Sequence, residues 1–330
     1  MTDLRSGPPV RAAAVQFATT TDVEENLATC LRMIDAAGEE SPDLVVLPEF
    51  ANHLSVYESA EHCREVAVDL DGPFPTALGE RAAALGIVLA VALTVRRPDR
   101  VTVSSLLWGS DGTLLAVGDK QTLMGNEREF LSAGDAVAAV TETDLGPIGI
   151  YACMDGVTPE TPRALTVRGA RILTNSLNSF ALDEASLHIP VRAAENGVFV
   201  VAANKVGPLL PADRVGAFSE AMGLPASAFD GAGESQIVDP DGVVLAKGPR
   251  TGEAVVTAEL VRATERDGEA RRTGPDPVAD RRPELFASLA DPEADADRAD
   301  AAEQITAVAV ATADAAAIEA ALANADLVVL

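Results

Sequence analysis

The sequence GIYACMDG, residues 149–156, joins an apolar segment to a sharp turn, and the turn begins at a cysteine. The apolar half has the composition of a buried β-strand, and Asp155-Gly156 is a typical turn pair. One interpretation is that Cys153 packs in the core as a small hydrophobic residue. The other is that Cys153 is a nucleophile at the tip of a strand, which requires a base and a charge-stabilising group elsewhere in the chain.

Strand-like and helix-like segments alternate on both sides of this stretch. The predicted strands lie at residues 10–18, 44–47, 87–94, 101–108, 114–120, 171–175, 198–204, 236–238 and 243–246. The predicted helices lie at residues 23–37, 74–85, 161–168 and 189–196. Asp111-Gly112 and residues 239–242 predict hairpin turns. Strands that alternate with helices, together with antiparallel hairpins, predict a mixed α/β sandwich.

The composition excludes several classes of function. The chain has 330 residues and a formal net charge of −26, whereas nucleic acids and anionic membranes require a basic protein surface. No apolar run approaches the roughly 20 residues of a membrane-spanning helix, and three cysteines are too few for a disulfide framework. We therefore expect a cytoplasmic globular protein with no nucleic-acid partner and no membrane partner.

The C-terminal part of the chain repeats a motif of the N-terminal part. Residues 43–47 and residues 326–330 are both DLVVL, and each copy follows a strand-like and then a helix-like stretch. The acidic, alanine-rich residues 291–304 predict a linker. We expect one domain over residues 1–290, and we hypothesise that residues 305–330 begin a second, related domain that is incomplete. A C-terminal hairpin or an edge extension is the alternative.

Two charged residues follow predicted strands elsewhere in the chain. Glu49 comes directly after LVVLP, and a carboxylate at the end of a buried strand loses hydration, which raises its pKa and suits it to accept a proton. Lys120 ends the strand-like LLAVGDK, and the chain has only three lysines. Taken alone, each is better interpreted as an exposed loop or surface residue.

Taken in order, these segments resemble the nitrilase superfamily of carbon–nitrogen hydrolases. The resemblance depends on Glu49 in LVVLPEF, on Lys120 in GDK with Glu127 in EREF after it, and on Cys153 in GIYACMDGVTPE. Residues 192–196 (RAAEN) and residues 201–204 (VAAN) extend it, and it covers about residues 10–290. The motifs are specific because all three chemical groups occur in the expected order.

The resemblance implies a fold and a catalytic set. The fold is a four-layer αββα sandwich of the nitrilase type, in the α/β class, and it assembles as a homodimer or a larger homo-oligomer with neither a metal nor an organic cofactor. Glu49 would be the general base, and Cys153 would be the nucleophile that forms a thioester. Lys120 and the backbone N–H of Met154 would stabilise the oxyanion, and Glu127 would orient the site.

Departures from the family pattern narrow the expected activity. Many members have a histidine two residues after the lysine, where this chain has Thr122, and Val157 occupies a frequent arginine position. Nitrilases in the strict sense have Cys-Trp-Glu, whereas Met154 and Asp155 follow the cysteine here. This difference favours amide substrates over nitriles.

The candidate substrate-binding residues lie on two loops. One set follows Glu49, and the other follows the strand after the nucleophile; the candidates are His53, Tyr57, Asn175, Ser176, Asn178 and Phe180. The second loop, NSLNSF, is rich in neutral hydrogen-bonding groups, which suits a polar, uncharged acyl portion better than a long alkyl chain.

The expected function is hydrolysis of the C–N bond of a small linear carboxamide or carbamoyl compound. The reaction would pass through a thioester acyl-enzyme and release ammonia and a carboxylic acid. A nitrilase, or the ammonia-supplying amidase half of a larger protein, is the alternative enzyme. A scaffold or binding module with the nitrilase fold and no turnover is the alternative of another class.

Overall fold

The structure is a computed structural model that describes residues 9–125, 127–223, 225–261, 276 and 278–290. The chain divides into two compact units, residues 1–278 and residues 279–330. In the second unit the described residues form two short 3₁₀ turns, Pro283–Leu285 and Ala287–Ala290. The predicted linker at residues 291–304 and the predicted repeat at residues 305–330 lie outside the described residues.

The first unit consists of strands and helices in alternation. The described strands are β1 (Arg11–Gln16), β2 (Leu44–Val46), β3 (Val88–Arg96), β4 (Val101–Trp108), β5 (Leu114–Asp119), β6 (Thr141–Thr143), β7 (Gly146–Ala152), β8 (Ile172–Ser176), β9 (Phe199–Ala203), β10 (Val206–Pro208), β11 (Asp230–Ala232), β12 (Gln236–Val238), β13 (Val244–Lys247) and β14 (Ala254–Glu259). The described helices are α1 (Val23–Gly38), α2 (Ala60–Val66), α3 (Pro73–Leu85), α4 (Glu127–Phe130), α5 (Glu160–Val167), α6 (Ile189–Asn196) and α7 (Ala212–Met222).

Within the described residues, twelve of these strands form two six-stranded sheets with the same plan. The first sheet has the order β14-β1-β2-β3-β4-β5, and the second has the order β13-β12-β9-β8-β7-β6. In the first sheet β1, β2 and β3 are parallel, and in the second β7, β8 and β9 are parallel. Antiparallel strands flank each parallel set. β10 and β11 form a separate two-stranded ribbon.

The sheets pack face to face, and helices cover their outer faces. A buried apolar layer between the sheets includes Ala14, Val46, Ile150, Val201 and Ile237. A second layer joins α1 and α3 to the outer face of the first sheet, and a third joins α5 and α6 to the outer face of the second. The order of layers is therefore αββα, and the predicted fold is confirmed.

Local sequence signals account for most of the element boundaries. The side chain of Asp22 accepts hydrogen bonds from the backbone N–H groups of Glu24 and Glu25, so α1 begins at the predicted cap. The hairpin between β4 and β5 turns at Gly112, whose φ of 80° favours glycine. β14 is not among the predicted strands, although it pairs with β1 along its whole length.

The topology brings the chemically active residues to one region. Glu49 follows β2, Lys120 follows β5, and Cys153 follows β7. Two hydrogen bonds join the sheets there: Ser176 Oγ donates to the carbonyl of Leu47 at 2.7 Å, and the N–H of Glu49 donates to the carbonyl of Leu177 at 3.1 Å. The ends of β2 and β8 are therefore held together.

Candidate active site

Glu49 lies at the end of β2 in a fully buried position. Pro48 follows the strand and fixes the backbone, and Phe50 then adopts a left-handed conformation with a φ of 51°. Neither carboxylate oxygen of Glu49 has a hydrogen bond of good geometry within the described residues. One buried oxygen is therefore free to accept a proton from a ligand or a neighbouring thiol.

Lys120 lies between two carboxylates. Its Nζ is 2.9 Å from Glu49 Oε1, and it donates to Glu127 Oε1 and Oε2 at 3.0 and 2.9 Å. The backbone N–H of Met124 also donates to Glu127, at 3.0 Å, which fixes the orientation of that carboxylate. The side chain of Lys120 has no solvent exposure, so its charge needs both partners.

Cys153 lies where β7 ends and a 3₁₀ turn, Cys153–Gly156, begins. Its φ is 45°, a left-handed conformation that is strained for a residue other than glycine. Its own N–H donates to Asn175 Oδ1 at 2.9 Å. The next N–H, that of Met154, lies in the first turn of a helix, where backbone N–H groups have no acceptor within the helix. That N–H is the donor available to an oxyanion.

The charges of the site perturb one another. Burial raises the pKa of Glu49 to about 7, and Lys120 opposes this effect. Burial by itself lowers the pKa of Lys120, but Glu49 and Glu127 raise it well above its ordinary value, so the ammonium stays charged. Burial, and then the charge of Glu49, raise the pKa of the Cys153 thiol well above its ordinary value. The resting site is therefore a neutral thiol beside an ionisable carboxyl group and a fixed cation.

A comparison with known protein families identifies the family of this chain. Residues 11–268 match the model of the carbon-nitrogen hydrolase family. The chain belongs to the carbon–nitrogen hydrolase family. The same residues include Glu49, Lys120 and Cys153, whose arrangement is described above. The resemblance to the nitrilase superfamily, and hydrolase chemistry in general, are thereby confirmed.

Individual relatives of this carbon–nitrogen hydrolase carry different activities in their names. A nitrilase of Pyrococcus abyssi is 27% identical over 253 residues, 76% of this chain and 89% of that protein. The N-carbamoylputrescine amidase of Solanum tuberosum is 26% identical over 293 residues, 85% of this chain and 94% of that protein. Among solved structures, a double mutant of the amidase from Nesterenkonia sp. AN1 in complex with acrylamide superposes with a TM-score of 0.67. It is 22% identical and covers 86% of this chain and 98% of its own, which supports the shared fold.

The predicted substrate-binding residues of this hydrolase have diverse partners. Asn175 accepts the N–H of Cys153, and Ser176 donates to Leu47, so both position the backbone of the site. The hydroxyl of Tyr57 is 2.9 Å from Thr94 Oγ1, within a buried cluster. His53 is fully buried and stacks on Tyr57, with 5.8 Å between ring centroids.

Two further predicted residues lie on the loop after β8. Asn178 donates its side-chain amide to Ser55 Oγ at 3.2 Å, whereas its Oδ1 is buried without a hydrogen-bond partner within the described residues. Burial raises the pKa of the Cys153 thiol, and the backbone of Asn178 opposes this effect. Phe180 is half-buried. Asn178 thus keeps a buried oxygen, unpaired among the described residues, on the loop that follows β8.

Two further residues position the backbone near the nucleophile. Asp155 is buried, and its carboxylate accepts the N–H groups of Gln121 and Thr122, at 3.1 and 2.8 Å, directly after Lys120. Arg192 of α6 donates to the carbonyl of Gly156 at 2.9 Å and pairs with Glu195. Asp155 therefore links the lysine strand to the cysteine turn.

Lys205 is a second buried lysine at the site. Its Nζ donates to the carbonyl of Phe50 at 3.0 Å and lies 5.8 Å from the centroid of the Phe50 ring, the same distance as Lys120 Nζ. Burial lowers the pKa of Lys205 to about 7, against the attraction of Glu49. Lys205 thus fixes the left-handed turn that follows Glu49. Its presence among only three lysines was a signal that the sequence offered.

Two negative findings apply to the described part of this hydrolase. No helix there is long and apolar enough to cross a membrane. No group of three or more His, Cys, Asp and Glu side chains there is arranged to hold a metal ion.

Proposed function

We propose that the protein hydrolyses small linear carboxamides or carbamoyl compounds through a thioester on Cys153. The observation that carries the proposal is the position of the Lys120 ammonium, which is 2.9 Å from Glu49 and 2.9 Å from Glu127. Its charge keeps one carboxylate ionised as a base and stabilises negative charge that develops beside it. The solved amidase structures, which share the fold, make an amide the first substrate class to test.

The acylation step begins with the neutral thiol. Glu49 accepts the proton of Cys153 as the sulfur attacks the carbonyl carbon, because a thiol of raised pKa does not ionise beforehand. The carbonyl oxygen becomes an oxyanion that the Met154 N–H and the Lys120 ammonium stabilise. The C–N bond then breaks, and the leaving nitrogen takes the proton from Glu49 and departs as ammonia.

The deacylation step uses the same groups in reverse. A water molecule replaces ammonia, Glu49 accepts one of its protons, and the resulting hydroxide attacks the thioester. The oxyanion forms again beside Lys120 and collapses with release of the thiolate, which takes the proton back. The sum is one amide and one water converted to one carboxylic acid and one ammonia. Glu127 holds Lys120 throughout and is not required to transfer a proton.

The experiment is ammonia release from a panel of small amides, carbamoyl compounds and nitriles. The intact chain is compared with Cys153→Ala and with Cys63→Ala, which removes another buried thiol. We expect release from amides or carbamoyl compounds that Cys153→Ala abolishes and Cys63→Ala retains. A decrease of at least about a hundredfold is expected for Glu49→Gln, since general bases contribute that much or more.

The identity of the nucleophile is tested separately by mass spectrometry. In a structure of a mutant of the Nesterenkonia amidase, the acetamide moiety of fluoroacetamide is covalently attached to the active-site cysteine. We expect the same reagent to label Cys153 of this protein and to leave Cys30 and Cys63 unmodified. Labelling at either of those cysteines in preference to Cys153 would argue against the assigned nucleophile.

The nitriles in the panel distinguish the second candidate activity. The relatives include proteins named nitrilase, so conversion of a nitrile without conversion of any amide would replace the proposal with nitrilase activity. If neither class reacts and a protein partner co-purifies, a scaffold role replaces both enzymatic proposals. Activity that appears only after a second protein is added would favour an ammonia-supplying half of a larger assembly.

We also propose that the protein is a homodimer or a larger homo-oligomer. Val167 of α5, Leu187 before α6 and Val191 of α6 are large apolar side chains with exposed fractions of 47%, 52% and 38%. A second copy of the chain packed on these helices would bury them. Light scattering after size-exclusion chromatography is expected to give at least twice the monomer mass, and the substitution Leu187→Glu is expected to lower the measured mass.

A further inference from the structure

A buried carboxyl group near the catalytic residues has no part in the mechanism above. Glu184 is 4% exposed, and its Oε2 has no hydrogen-bond partner within the described residues. The ion pairs of the described residues do not include Glu184. A buried carboxyl group that lacks a partner is unfavourable unless a ligand supplies one.

Electrostatic interactions indicate that Glu184 lies near the nucleophile. Burial, and then the charge of Glu49, raise the pKa of the Cys153 thiol, and the negative charge of Glu184 raises it further. The charges of Glu49 and Lys120 in turn act on the pKa of Glu184, in opposite directions. The segment that leads to Glu184 begins with β8, whose Asn175 accepts the N–H of Cys153 at 2.9 Å.

The backbone holds Glu184 on a rigid element. Glu184 begins a π-helical turn, Glu184–His188, that leads into α6, and such turns are rare and occur frequently at functional sites. Gln236 of β12 donates its side-chain amide to the carbonyl of Ala185 at 2.9 Å. A side chain that is fixed by two neighbouring elements suits substrate recognition better than one on a free loop.

The charges of the site leave Glu184 without a cation. The ammonium of Lys120 is held by Glu49 and Glu127, and the amine of Lys205 donates to the Phe50 carbonyl. When Glu184 is ionised, its negative charge therefore has no ion-pair partner within the residues that the structure describes. A positively charged ligand group would balance it and would be attracted by the net charge of −26.

We propose that Glu184 binds a protonated amine at the far end of the substrate, so that the protein selects linear amides with a terminal ammonium group. The inference rests on the proposed function. It changes one expectation, because residues 175–180 alone suggested an uncharged acyl portion. Burial, and then the neighbouring Asp183, raise the pKa of Glu184 to about 7. A bound ammonium favours the ionised form and lowers that pKa.

The test compares pairs of amides that have the same length and shape. β-Alaninamide, γ-aminobutyramide and δ-aminovaleramide are matched with butyramide, valeramide and caproamide. We expect the best cationic amide to exceed its neutral partner by at least about tenfold in kcat/KM, mainly through KM. Glu184→Gln is expected to bring this ratio close to one. A neutral amide that is equal to or better than its cationic partner, or a ratio unchanged in Glu184→Gln, would overturn the proposal.

Two further variants separate recognition from folding and from general electrostatics. Asp183→Asn removes a negative charge at the neighbouring, exposed residue and is expected to retain the preference. Glu184→Asp keeps the charge on a shorter side chain, and we expect the preference to move to a longer amine. If Glu184→Gln does not fold, the change of preference in Glu184→Asp is the test. An unchanged preference in Glu184→Asp would then contradict the inference.

Binding without turnover distinguishes this inference from the proposed function. Calorimetry measures γ-aminobutyramide binding to Cys153→Ala and to Cys153→Ala with Glu184→Gln. If binding requires Glu184 but the intact protein hydrolyses no amide, the ammonium site is supported and the amidase proposal is refuted. If the protein hydrolyses neutral amides and no binding depends on Glu184, the amidase proposal is supported and the ammonium site is refuted.

Discussion

Replacement of Lys205 by methionine tests whether this buried amine lowers the stability of the protein while it fixes the position of Glu49, the general base. Methionine has a similar length and no charge, so it fills the same volume beside Phe50. The variant loses one hydrogen bond to the Phe50 carbonyl and one ammonium–ring contact. It also removes an ionisable group that is fully buried. These two changes have opposite effects on the free energy of unfolding.

The size of the effect depends on pH in a defined direction. Burial lowers the pKa of Lys205 from 10.5 to about 7, so between these values the unfolded chain holds a proton that the folded protein has released. Stability therefore rises with pH across this window, and the whole free-energy cost of burying this amine is present below pH 7. From pH 7 to pH 9 the gain is about 2 kcal/mol, since each pH unit contributes about 1.4 kcal/mol and the amine is half protonated at the start.

Urea unfolding of the intact chain and of Lys205→Met, at both pH values, measures this gain. The hydrogen bond and the ammonium–ring contact that the variant loses offset about 2 kcal/mol of the stability that it gains by losing the buried amine. Lys205→Met is therefore expected to be more stable by about 2 kcal/mol at pH 7 and equal at pH 9. Comparing the two chains cancels the titration of all shared groups. Lys247→Met, which removes an exposed lysine, is the control and is expected to follow the intact chain.

Activity provides the second measurement on the same variant. Lys205 lowers the pKa of Glu49, so its loss is expected to move the acid limb of kcat/KM to higher pH and to reduce activity at pH 7 about tenfold. Parallel stability curves for the intact chain and Lys205→Met between pH 7 and 9 would refute the reasoning. So would an unchanged acid limb.

Three other substitutions test the positioning of the site. Asn175→Ala removes the acceptor of the Cys153 N–H, and we expect a loss of about 1–3 kcal/mol in urea unfolding and at least about tenfold in kcat/KM; unchanged kinetics would contradict its role. Asp155→Asn is expected to lower kcat more than it raises KM, because the two backbone N–H groups after Lys120 lose a charged acceptor; a pure KM effect would be inconsistent. Ser176→Ala is expected to lower stability by about 1 kcal/mol and to change kcat less than Asn175→Ala does.

The parts of the structure that sequence patterns predicted are those in which local signals agree with the tertiary context. Apolar segments that are buried on both faces gave β2, β8 and β9, and the cap at Asp22 gave the start of α1. Glu49, Lys120 and Cys153 were singled out because each follows a strand-like segment and because the three occur in the order that the resemblance to the nitrilase superfamily requires.

The parts that were missed depend on contacts between distant segments. β14 lies at the edge of the first sheet and most of its residues are half-buried, so only its pairing with β1 defines it. Lys205 and Glu184 have no local motif, since their burial results from the packing of loops against the site. Tyr57 and Ser176 were singled out for their polarity, yet Thr94 and Leu47 already occupy their hydroxyl groups. Sequence spacing does not distinguish a polar group that is already paired from one that is free.

The left-handed backbone at Phe50 and Cys153, with φ of 51° and 45°, has a consequence for engineering. Each such residue costs about 1–2 kcal/mol that a glycine would not. At Phe50 the loss of a fully buried ring outweighs this gain, but at Cys153 little apolar volume is lost. A laboratory selection for heat resistance alone would therefore favour Cys153→Gly, which deletes the nucleophile itself. Thermostable variants of this protein have to be selected for turnover and heat resistance together, or the selection will enrich inactive proteins.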